Sequence, residues 1–398
     1  MNRRWWILGL LFLSTVLNYV DRQTLSVLAR TIQTDLHLSD LDYSTVVQVF
    51  LFAYTLAYLV VGRVTDWMGT RWSMALFIGW WSIANMLTGF VRSLRELAGC
   101  RFLLGLGEAG NYTAAPKSVG EWFEPKDRGL AVGIYTAGAM VGATIAPPMI
   151  AWFGAAYGWR FAFVGTGVLG LAWIVPWLLV YRTGPLAARQ GGTRERIPES
   201  EIWRAVLSDP RAWLLMGARM LSDPVWYFYL FWFPKYLMDE RGRTLAQMGS
   251  IAWVVYLAAD LGSVLGGSGS GWLIRRGQSP FAARLNMMRF AAFIAPAGCL
   301  IAAGLPVPIV LLLAGIVSFV HLTWQVTMGA LIVDVFPENR MATVFGFIAA
   351  GSGLGGMLST AAVGWLVTHY SYRPVFLLMA VMHPLAFLLA RQVASHQR

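Results

Sequence analysis

The sequence predicts an all-α membrane protein, with twelve transmembrane helices in two pseudo-symmetric halves of six. Of its 398 residues, 57% are hydrophobic and only 13% are charged, and the mean hydropathy is +0.57. A soluble domain of this size could not bury so much apolar surface. Apolar stretches of about 20 residues, the length that a bilayer requires, recur with short polar breaks between them. An internal repeat relates the fifth and sixth of these stretches to the last two.

Each predicted helix is one apolar stretch bounded by polar breaks. In chain order, the twelve stretches are residues 5–28, 43–64, 72–91, 94–119, 128–155, 159–181, 212–237, 245–274, 282–305, 307–335, 341–368 and 374–391. The segment at residues 182–208 is rich in Arg, Glu, Gly and Pro and is predicted to be a cytoplasmic linker. We therefore expect an N-terminal half at residues 1–181 and a C-terminal half at residues 209–398.

The internal repeat is clearest in small residues. A shift of 213 residues aligns Gly133 with Gly346, Gly138 with Gly351, Gly142 with Gly355 and Trp152 with Trp365. The fifth helix thus corresponds to the eleventh, and the sixth to the twelfth. Because small residues let helix backbones approach closely and slide, the repeat suits rocking of one half against the other.

The distribution of positive charge predicts the orientation of the helices. The net charge is +11, and most Lys and Arg residues fall on one side, including both terminal segments; Lys235, Arg241 and Arg243 are exceptions. Because basic loops stay in the cytoplasm, both termini are expected there. This distribution accounts for the basic balance, so no nucleic-acid partner is expected.

The sequence carries no signature of a cofactor or a catalytic site. Cys100 and Cys299 lie far apart in apolar stretches, which favours packing thiols over a disulfide or a metal site. The sequence contains no phosphate-binding loop, metal-ligand cluster or nucleophile triad. We therefore expect no cofactor and no enzymatic activity, and an ion gradient or the substrate's own gradient must drive any transport.

Two adjacent charges lie in the middle of the first predicted helix. Asp21 and Arg22 would each cost about 2.5–3.5 kcal/mol at the centre of a bilayer, so they need partners or a wet cavity. In the fourth predicted helix, Arg101 and Glu108 are seven residues apart and share a face, which Tyr112 extends. These residues predict that the helices line a pathway.

The same charges predict a coupling device. A carboxylate in a partly dry cavity binds a proton more readily once another anion has taken its arginine partner. If a substrate carboxylate binds Arg22 or Arg101, the protein carboxylate loses that partner, and the proton and the anion load together. A buried structural ion-pair network is the alternative interpretation.

The loop after the second helix carries a family signature. Together with the twelve-helix architecture, it resembles the major facilitator superfamily at Gly62, Asp66, Gly69 and Arg71. The pattern departs at Trp67, where the family usually has a basic residue. The resemblance implies that Asp66 caps a neighbouring helix and pairs with an arginine to hold an inner gate closed. Arg71 is assigned to the same gate, with an ordinary charged turn as the alternative for this loop. Lys117, near the cytoplasmic end of the fourth helix, either belongs to that gate or snorkels.

Longer strings resemble one family within that superfamily. NYVDR at residues 18–22, GEAGN at 107–111 and EWF at 121–123 look like the anion:cation symporter family. SDPVWYFYLFW at 222–232 and ADLGS at 259–263 resemble its hexuronate-transporter branch. The resemblance implies proton-coupled uptake of a sugar acid, such as galacturonate, glucuronate or galactonate, by alternating access.

The resemblance also implies roles for single residues. The family's proton-coupling acids fall on Asp21 and Glu108, and its anion-contacting residues fall on Tyr19, Arg22 and Arg101. Tyr54 is predicted to donate a hydroxyl hydrogen bond to the substrate. Ala139 stands where galactonate transporters carry a glutamine, which favours a hexuronate over an aldonate. Ordinary helix packing is the alternative for the tyrosines.

Aromatic and amide side chains in the C-terminal half are candidates for contacts with a sugar ring. Tyr227, Trp324 and Gln325 are predicted to bind substrate, by stacking on the ring or by hydrogen bonding to its hydroxyls. His321 is either a proton relay or a hydrogen-bonded helix histidine. An aromatic stripe at helical spacing is also compatible with packing alone.

The leading functional hypothesis is a monomeric, proton-coupled symporter of a sugar acid anion. Transport of another organic anion, such as an aldonate, an aldarate or another carboxylate, is the first alternative, with or without protons. A drug antiporter on the same scaffold is the second, although it would not need arginines suited to a carboxylate. A membrane enzyme or sensor would need a catalytic cluster or a soluble output domain, and the sequence provides neither.

Overall fold

The computed structural model describes residues 3–38, 40–182, 184, 186, 199–242 and 253–396, and none of them lies in a β-strand. The all-α prediction is confirmed. The helices before the linker are α1 (Arg3–Val27), α2 (Ala29–Leu36), α3 (Asp40–Met68), α4 (Thr70–Thr88), α5 (Leu94–Glu108), α6 (Asn111–Trp122), α7 (Pro125–Tyr157) and α8 (Trp159–Val180).

The described chain after residue 198 is also mainly α-helical. Its helices are α9 (Glu199–Leu207), α10 (Pro210–Tyr227), α11 (Phe233–Asp239), α12 (Trp253–Arg275), α13 (Pro280–Ile294), α14 (Val307–Val335), α15 (Met341–His369) and α16 (Arg373–Gln392). The predicted linker contains α9, and its residues 187–198 lie outside the described part of the chain, as do residues 245–252 of the eighth predicted helix.

The fourth predicted helix, residues 94–119, divides into α5 and α6. At Ala109 and Gly110 the backbone tightens to three-residue hydrogen bonds, with the Gly110 nitrogen 3.1 Å from the Gly107 oxygen. Only glycine fits at position 110, because a Cβ there would lie 2.2 Å from the ring of Phe77. The tightened turn follows directly after Glu108, the last residue of α5.

Two more predicted helices change geometry along their length. The seventh passes from α10 through a π-helical turn at Phe228–Trp232 into α11, and such turns often occur at functional sites. The ninth passes from α13 into a 3₁₀ segment at Ala295–Ala303. Pro296 has no backbone N–H to donate, which favours a departure from α geometry.

The described helices carry the surface of a multi-pass membrane protein. Seven of them are long and apolar enough to cross a bilayer, by length and composition. Large apolar side chains also face outward: Leu179 and Phe293 expose 74% and 78% of their surface. Contact of such residues with lipid chains is favourable, whereas their exposure to water costs free energy.

Two compact units make up the chain. The first contains Met1–Phe123, Ile134–Arg196 and Phe336–Gly346, and the second contains Glu124–Gly133, Ile197–Val335 and Phe347–Arg398. Val20, Leu97 and Phe163 belong to a core cluster of the first unit. Phe228 and Phe376 pack edge to face in the second, with ring centroids 5.2 Å apart. The division at residues 1–181 and 209–398, which follows the repeat, stays a prediction.

Equivalent glycines of the repeat make equivalent close contacts. A Cβ at Gly142 would lie 2.6 Å from the carbonyl oxygen of Val16 on α1, and one at Gly355 would lie 2.4 Å from that of Met220 on α10. Gly138 and Gly351 show the same pattern one turn earlier, each 2.6 Å from a carbonyl oxygen. The repeat therefore encodes two backbone-to-backbone helix contacts.

Replacing Gly142 with alanine should destabilise the protein. The new methyl group would overlap the backbone of α1, and overpacking of this kind costs about 1–3 kcal/mol. We expect a lower thermal unfolding midpoint of the purified protein in detergent. Gly9→Ala is the matched control, because nothing lies within 4 Å of a Cβ there. An equal midpoint for Gly142→Ala and Gly9→Ala would contradict the close contact.

Candidate functional site

The two charges in the middle of α1 have different partners. Successive residues on a helix point about 100° apart, so Asp21 and Arg22 face different neighbours. Arg22 forms an ion pair with Glu108, in which its Nε and Nη2 lie 3.0 and 2.8 Å from the same oxygen, Oε2. Asp21 accepts a hydrogen bond from the Nδ2 of Asn85 at 2.8 Å. The structure thus brings together two of the predicted site residues, Arg22 and Glu108.

Three aromatic rings surround the guanidinium of Arg22. Its Cζ lies 5.1, 5.2 and 4.8 Å from the ring centroids of Tyr19, Phe50 and Tyr54. Contacts of this kind contribute about 0.5–2 kcal/mol each. The side chain of Arg22 keeps 29% of its surface exposed, whereas Glu108 is fully buried. Arg22 is therefore held in place and still accessible to an incoming anion.

Only one of the two carboxylate oxygens of Glu108 accepts hydrogen bonds from the described residues. Its Oε1 is buried and accepts no hydrogen bond from any described residue. Asn111, just past the tightened turn, anchors this end of α5 to α1 through Ser14 at 2.8 Å and Thr15 at 3.2 Å. A carboxylate in this position depends on one arginine for its counter-charge, so loss of that arginine would favour the protonated acid.

Asp21 lies in a polar pocket that the charge pattern did not reveal. Asn85 on α4 bridges Asp21 to Thr166 on α8, with an Nδ2 to Oγ1 distance of 2.7 Å. The second carboxylate oxygen of Asp21, Oδ2, is buried and accepts no hydrogen bond from the described residues. Asn85 and Thr166 are uncharged polar residues within apolar helices. This was the signal in the sequence that could have identified them.

Arg101 has no ion pair among the described residues. Seven residues separate it from Glu108, a rise of about 10.5 Å along the helix, so the two side chains do not meet although they share a face. Its guanidinium lies 5.0 Å from the ring centroid of Phe163. The residue is 2% exposed, and its Nε and Nη2 are buried without hydrogen-bond partners in the described structure. Arg101 is thus a buried cation with unused donors, which suits an anion.

The predicted tyrosines differ in their surroundings. The hydroxyl groups of Tyr54 and Tyr58 lie 2.9 Å apart, which continues the polar surface beside Arg22. Tyr112 is half-buried on α6 and therefore lies beyond the turn that follows Glu108. The predicted continuous helical face from Arg101 to Tyr112 is interrupted at that turn.

The predicted gate residue Asp66 caps a helix, as the family resemblance implies. Its Oδ2 accepts hydrogen bonds from the backbone nitrogen and the hydroxyl group of Thr343, at 2.7 and 2.6 Å, in the first turn of α15. Its Oδ1 pairs with the Nζ of Lys117, and both side chains are buried. Gly62, one turn earlier, allows this approach, because a Cβ there would lie 2.2 Å from the carbonyl oxygen of Ala342.

The cation that pairs with Asp66 is a lysine and not the expected arginine. Arg71 instead donates to the carbonyl oxygen of Leu178 at 2.8 Å, and its own carbonyl accepts from Trp177 at 2.9 Å. The loop pattern predicts Asp66 but carries no information on contacts across helices. Lys117 thus contacts Asp66, whereas Arg71 packs against α8. The assignment of these residues to a gate stays a prediction.

Asp66→Asn should weaken this contact. Asparagine can still cap α15, but it leaves Lys117 buried without this negative partner, which weakens the contact. We expect a cysteine introduced at Ala342 to react faster with a membrane-impermeant maleimide from the cytoplasmic side, by about 5- to 150-fold. Substrate binding should persist.

The labelling needs a background in which Cys100 and Cys299 are replaced with serine. Asp35→Asn is the control, because its ion pair with Arg160 is exposed, with side-chain exposures of 44% and 42%. Such a pair contributes little to stability. Equal labelling rates for Asp66→Asn and the parent, or a loss of substrate binding, would show that Asp66 has another role.

The predicted residues of the C-terminal half occupy contrasting positions. The Tyr227 hydroxyl lies 3.2 Å from the Oγ of Ser352, and the Nε2 of Gln325 lies 2.5 Å from an oxygen of Asp223. Trp324 has no exposed surface and packs edge to face against His383, with centroids 5.7 Å apart. In this structure Trp324 is therefore a packing residue, while Tyr227 and Gln325 remain partly accessible.

Known proteins resemble this chain in sequence and in fold. The family model of the Major Facilitator Superfamily matches residues 11–328 and 283–396. The chain is 30% identical to the hexuronate transporter of Escherichia coli K12, across 99% of this chain and 94% of that protein. It is 32% identical to the galacturonate transporter of Dickeya chrysanthemi, across 66% and 80%.

A solved structure agrees on the fold. The crystal structure of the transporter FucP superposes with a TM-score of 0.77 at 14% identity, covering 98% of this chain and 99% of that one. At this identity the match concerns the fold alone, and it agrees with the helices described above. Taken with the sequence matches, it leaves one conclusion. The chain belongs to the Major Facilitator Superfamily, in the hexuronate-transporter-like branch, and is a membrane transporter and not an enzyme.

Proposed function

We propose that the protein is a proton-coupled symporter that brings a hexuronate, galacturonate or glucuronate, into the cell. The observation that carries the proposal is the Arg22–Glu108 pair, in which an accessible arginine neutralises a fully buried carboxylate. Similar proteins named hexuronate and galacturonate transporters support the choice of substrate class.

The pair provides a route to coupling. A substrate carboxylate can accept the same two hydrogen bonds from Arg22 that Glu108 Oε2 accepts now. Glu108 would then be a buried carboxylate without a cation, and burial favours its neutral form. Binding of the anion leaves Glu108 without its cation, and a proton on Glu108 leaves Arg22 without its anion. Anion binding and proton uptake therefore promote each other.

Arg101 and Asp21 supply a second pair of groups of the same kind. Arg101 has buried donors without partners, and Asp21 has a buried oxygen without one, among the described residues. We assign Arg101 to the anion and Asp21 to a proton. Tyr19, Tyr54 and Tyr112 are assigned to the substrate surface near Arg22, where the rings of Tyr19 and Tyr54 already contact the guanidinium.

The gate cluster supports alternating access. Asp66, Lys117 and the first turn of α15 form contacts that do not involve a ligand, and such contacts bias an equilibrium between two states by their energy difference. We assign them to the cytoplasmic end, with both termini in the cytoplasm and the protein in the bacterial inner membrane as a monomer.

Uptake into proteoliposomes tests the proposal. Labelled galacturonate should accumulate above its external concentration when the interior is alkaline, and not when the proton gradient is collapsed by an ionophore. Unlabelled glucuronate should compete, and glucose should not. Equal competition by glucose, or accumulation that ignores the proton gradient, would overturn the assignment. Competition by short unhydroxylated carboxylates would favour a transporter of other organic anions.

A further inference from the structure

A continuous polar network crosses the second compact unit. It links Arg219 and Asp223 on α10, His321 and Gln325 on α14, and His383 on α16. Gln325 Nε2 lies 2.5 Å from Asp223 Oδ1 and 3.5 Å from His321 Nε2, and His321 Nδ1 lies 3.1 Å from His383 Nε2. His321 and His383 are buried, with 1% and 0% of their surface exposed.

Asp223 determines which way the amide of Gln325 points. Arg219 donates to the Asp223 side chain through its Nε, 2.9 Å from Oδ2, and a carboxylate paired with an arginine is an acceptor only. The Gln325 amide must therefore turn its NH₂ group toward Oδ1. The flipped amide would place its carbonyl oxygen 2.5 Å from a carboxylate oxygen, which is strongly repulsive.

The amide in turn determines the tautomers of the histidines. The NH₂ group of Gln325 only donates, so His321 Nε2 must accept and carry no proton. Neutral His321 then bears its proton on Nδ1 and donates it to Nε2 of His383. His383 consequently bears its own proton on Nδ1, which is buried without an acceptor among the described residues. The reverse assignment would set N–H groups of His321 and Gln325 against each other.

Packing reinforces this arrangement. The ring of Trp226 lies parallel to that of His321, with an interplanar angle of 2° and centroids 5.8 Å apart, and His383 is perpendicular to it. The network therefore has one consistent pattern of donors and acceptors. Both N–H groups of the Gln325 amide are engaged, and its Oε1 accepts no hydrogen bond from the described residues.

We propose that Asp223 locks the Gln325 amide so that its Oε1 accepts a hydrogen bond from a substrate hydroxyl, and that His321 and His383 are positioning residues whose tautomers match this orientation and reinforce it. This inference rests on the proposed function, because it concerns a hydroxylated anion. Gln325 would then recognise a hydroxyl group that donates, and would reject both a carboxylate and an unhydroxylated acid. The carboxylate is recognised elsewhere, by arginine.

The lock can be tested without any substrate. Solid-state NMR of the full-length protein in lipid, with ¹⁵N-labelled histidine, reports which ring nitrogen carries the proton. We expect His321 and His383 both to be neutral with the proton on Nδ1. The chain has five histidines, so the measurement uses a background in which His37, His369 and His396 are replaced with leucine. His383→Leu in that background then identifies the signals of His321. Protonation of His321 at Nε2 would overturn the lock.

The hydroxyl assignment is tested with substrate analogues. Galacturonates in which one hydroxyl is replaced by hydrogen or by fluorine compete with labelled galacturonate in proteoliposomes. At one ring position, both analogues should inhibit wild type about tenfold less well than the parent sugar, because fluorine cannot donate. In Gln325→Met that difference should disappear. In His383→Leu it should shrink, and His383→Gln, which keeps an acceptor for His321, should restore it.

Two outcomes would overturn this assignment. One is a position where the fluoro analogue keeps full affinity while the deoxy analogue loses it in a Gln325-dependent way, since Gln325 would then be a donor. The other is the same preference for the parent sugar in wild type and Gln325→Met at all positions. If wild type does not bind galacturonate at all, the proposed function and the hydroxyl assignment fail together, while the NMR measurement still decides the lock.

Discussion

Glu108→Gln is expected to abolish accumulation of galacturonate driven by a proton gradient, while leaving downhill exchange intact. Glutamine keeps the shape of the side chain, and its carbonyl oxygen can still accept from Arg22, but it binds no proton. With one proton per substrate, a gradient of one pH unit can drive about tenfold accumulation. The measurement is uptake into proteoliposomes with an alkaline interior, compared with counterflow of labelled for unlabelled galacturonate.

Glu96→Gln is the matched control for this experiment. Glu96 lies in the first turn of the same helix, α5, and is exposed, so its charge has no part in the proposed coupling. We expect it to accumulate galacturonate as wild type does. Proton-driven accumulation by Glu108→Gln at the wild-type level would remove Glu108 from the coupling mechanism. Loss of counterflow would indicate a structural role for its charge.

Arg22→Lys is expected to weaken galacturonate binding by about 10- to 100-fold. The guanidinium donates from Nε and Nη2 together, whereas lysine offers a compact charge that cannot reproduce this geometry, and a hydrogen bond to a charged group contributes about 1.5–3 kcal/mol. Arg101→Ala should produce a loss of similar size by removing the second cation. Binding is measured by isothermal titration calorimetry on purified protein.

Arg160→Lys is the control for the arginine substitutions, because Arg160 lies in an exposed ion pair with Asp35. Its binding of galacturonate should equal that of wild type. Glucose should bind neither wild type nor either variant, since it offers no carboxylate to the arginines. Equal wild-type affinity for glucose and glucuronate would show that these arginines do not select the anion.

The sequence predicted most of the fold because hydrophobic length and repetition are local properties. The apolar stretches became helices, and the repeat glycines make the predicted close backbone contacts, Gly142 with α1 and Gly355 with α10. The interruptions were missed. The turn at Ala109 and Gly110 depends on the space available beside Phe77, a contact between helices that spacing along one helix does not reveal.

The candidate site was predicted only in part, because the sequence shows which residues are charged but not which of them meet across helices. A charge inside a membrane helix is conspicuous, so Arg22 and Glu108 were identified, but their pairing across 86 residues was not. Phe50 and Asn85 were missed because aromatic and amide side chains are common in apolar helices. Asp66 was predicted from its loop pattern, whereas its lysine partner is 51 residues away and became evident only in three dimensions.

Movement of protons with the substrate tests the central claim most directly. Proteoliposomes containing a pH-sensitive dye are given an inward galacturonate gradient with no pH gradient and with the membrane potential clamped. If Glu108 takes a proton when the sugar acid binds Arg22, the interior should acidify at a rate proportional to sugar entry in wild type and should not acidify in Glu108→Gln. Entry of galacturonate into wild-type vesicles without acidification would contradict the account.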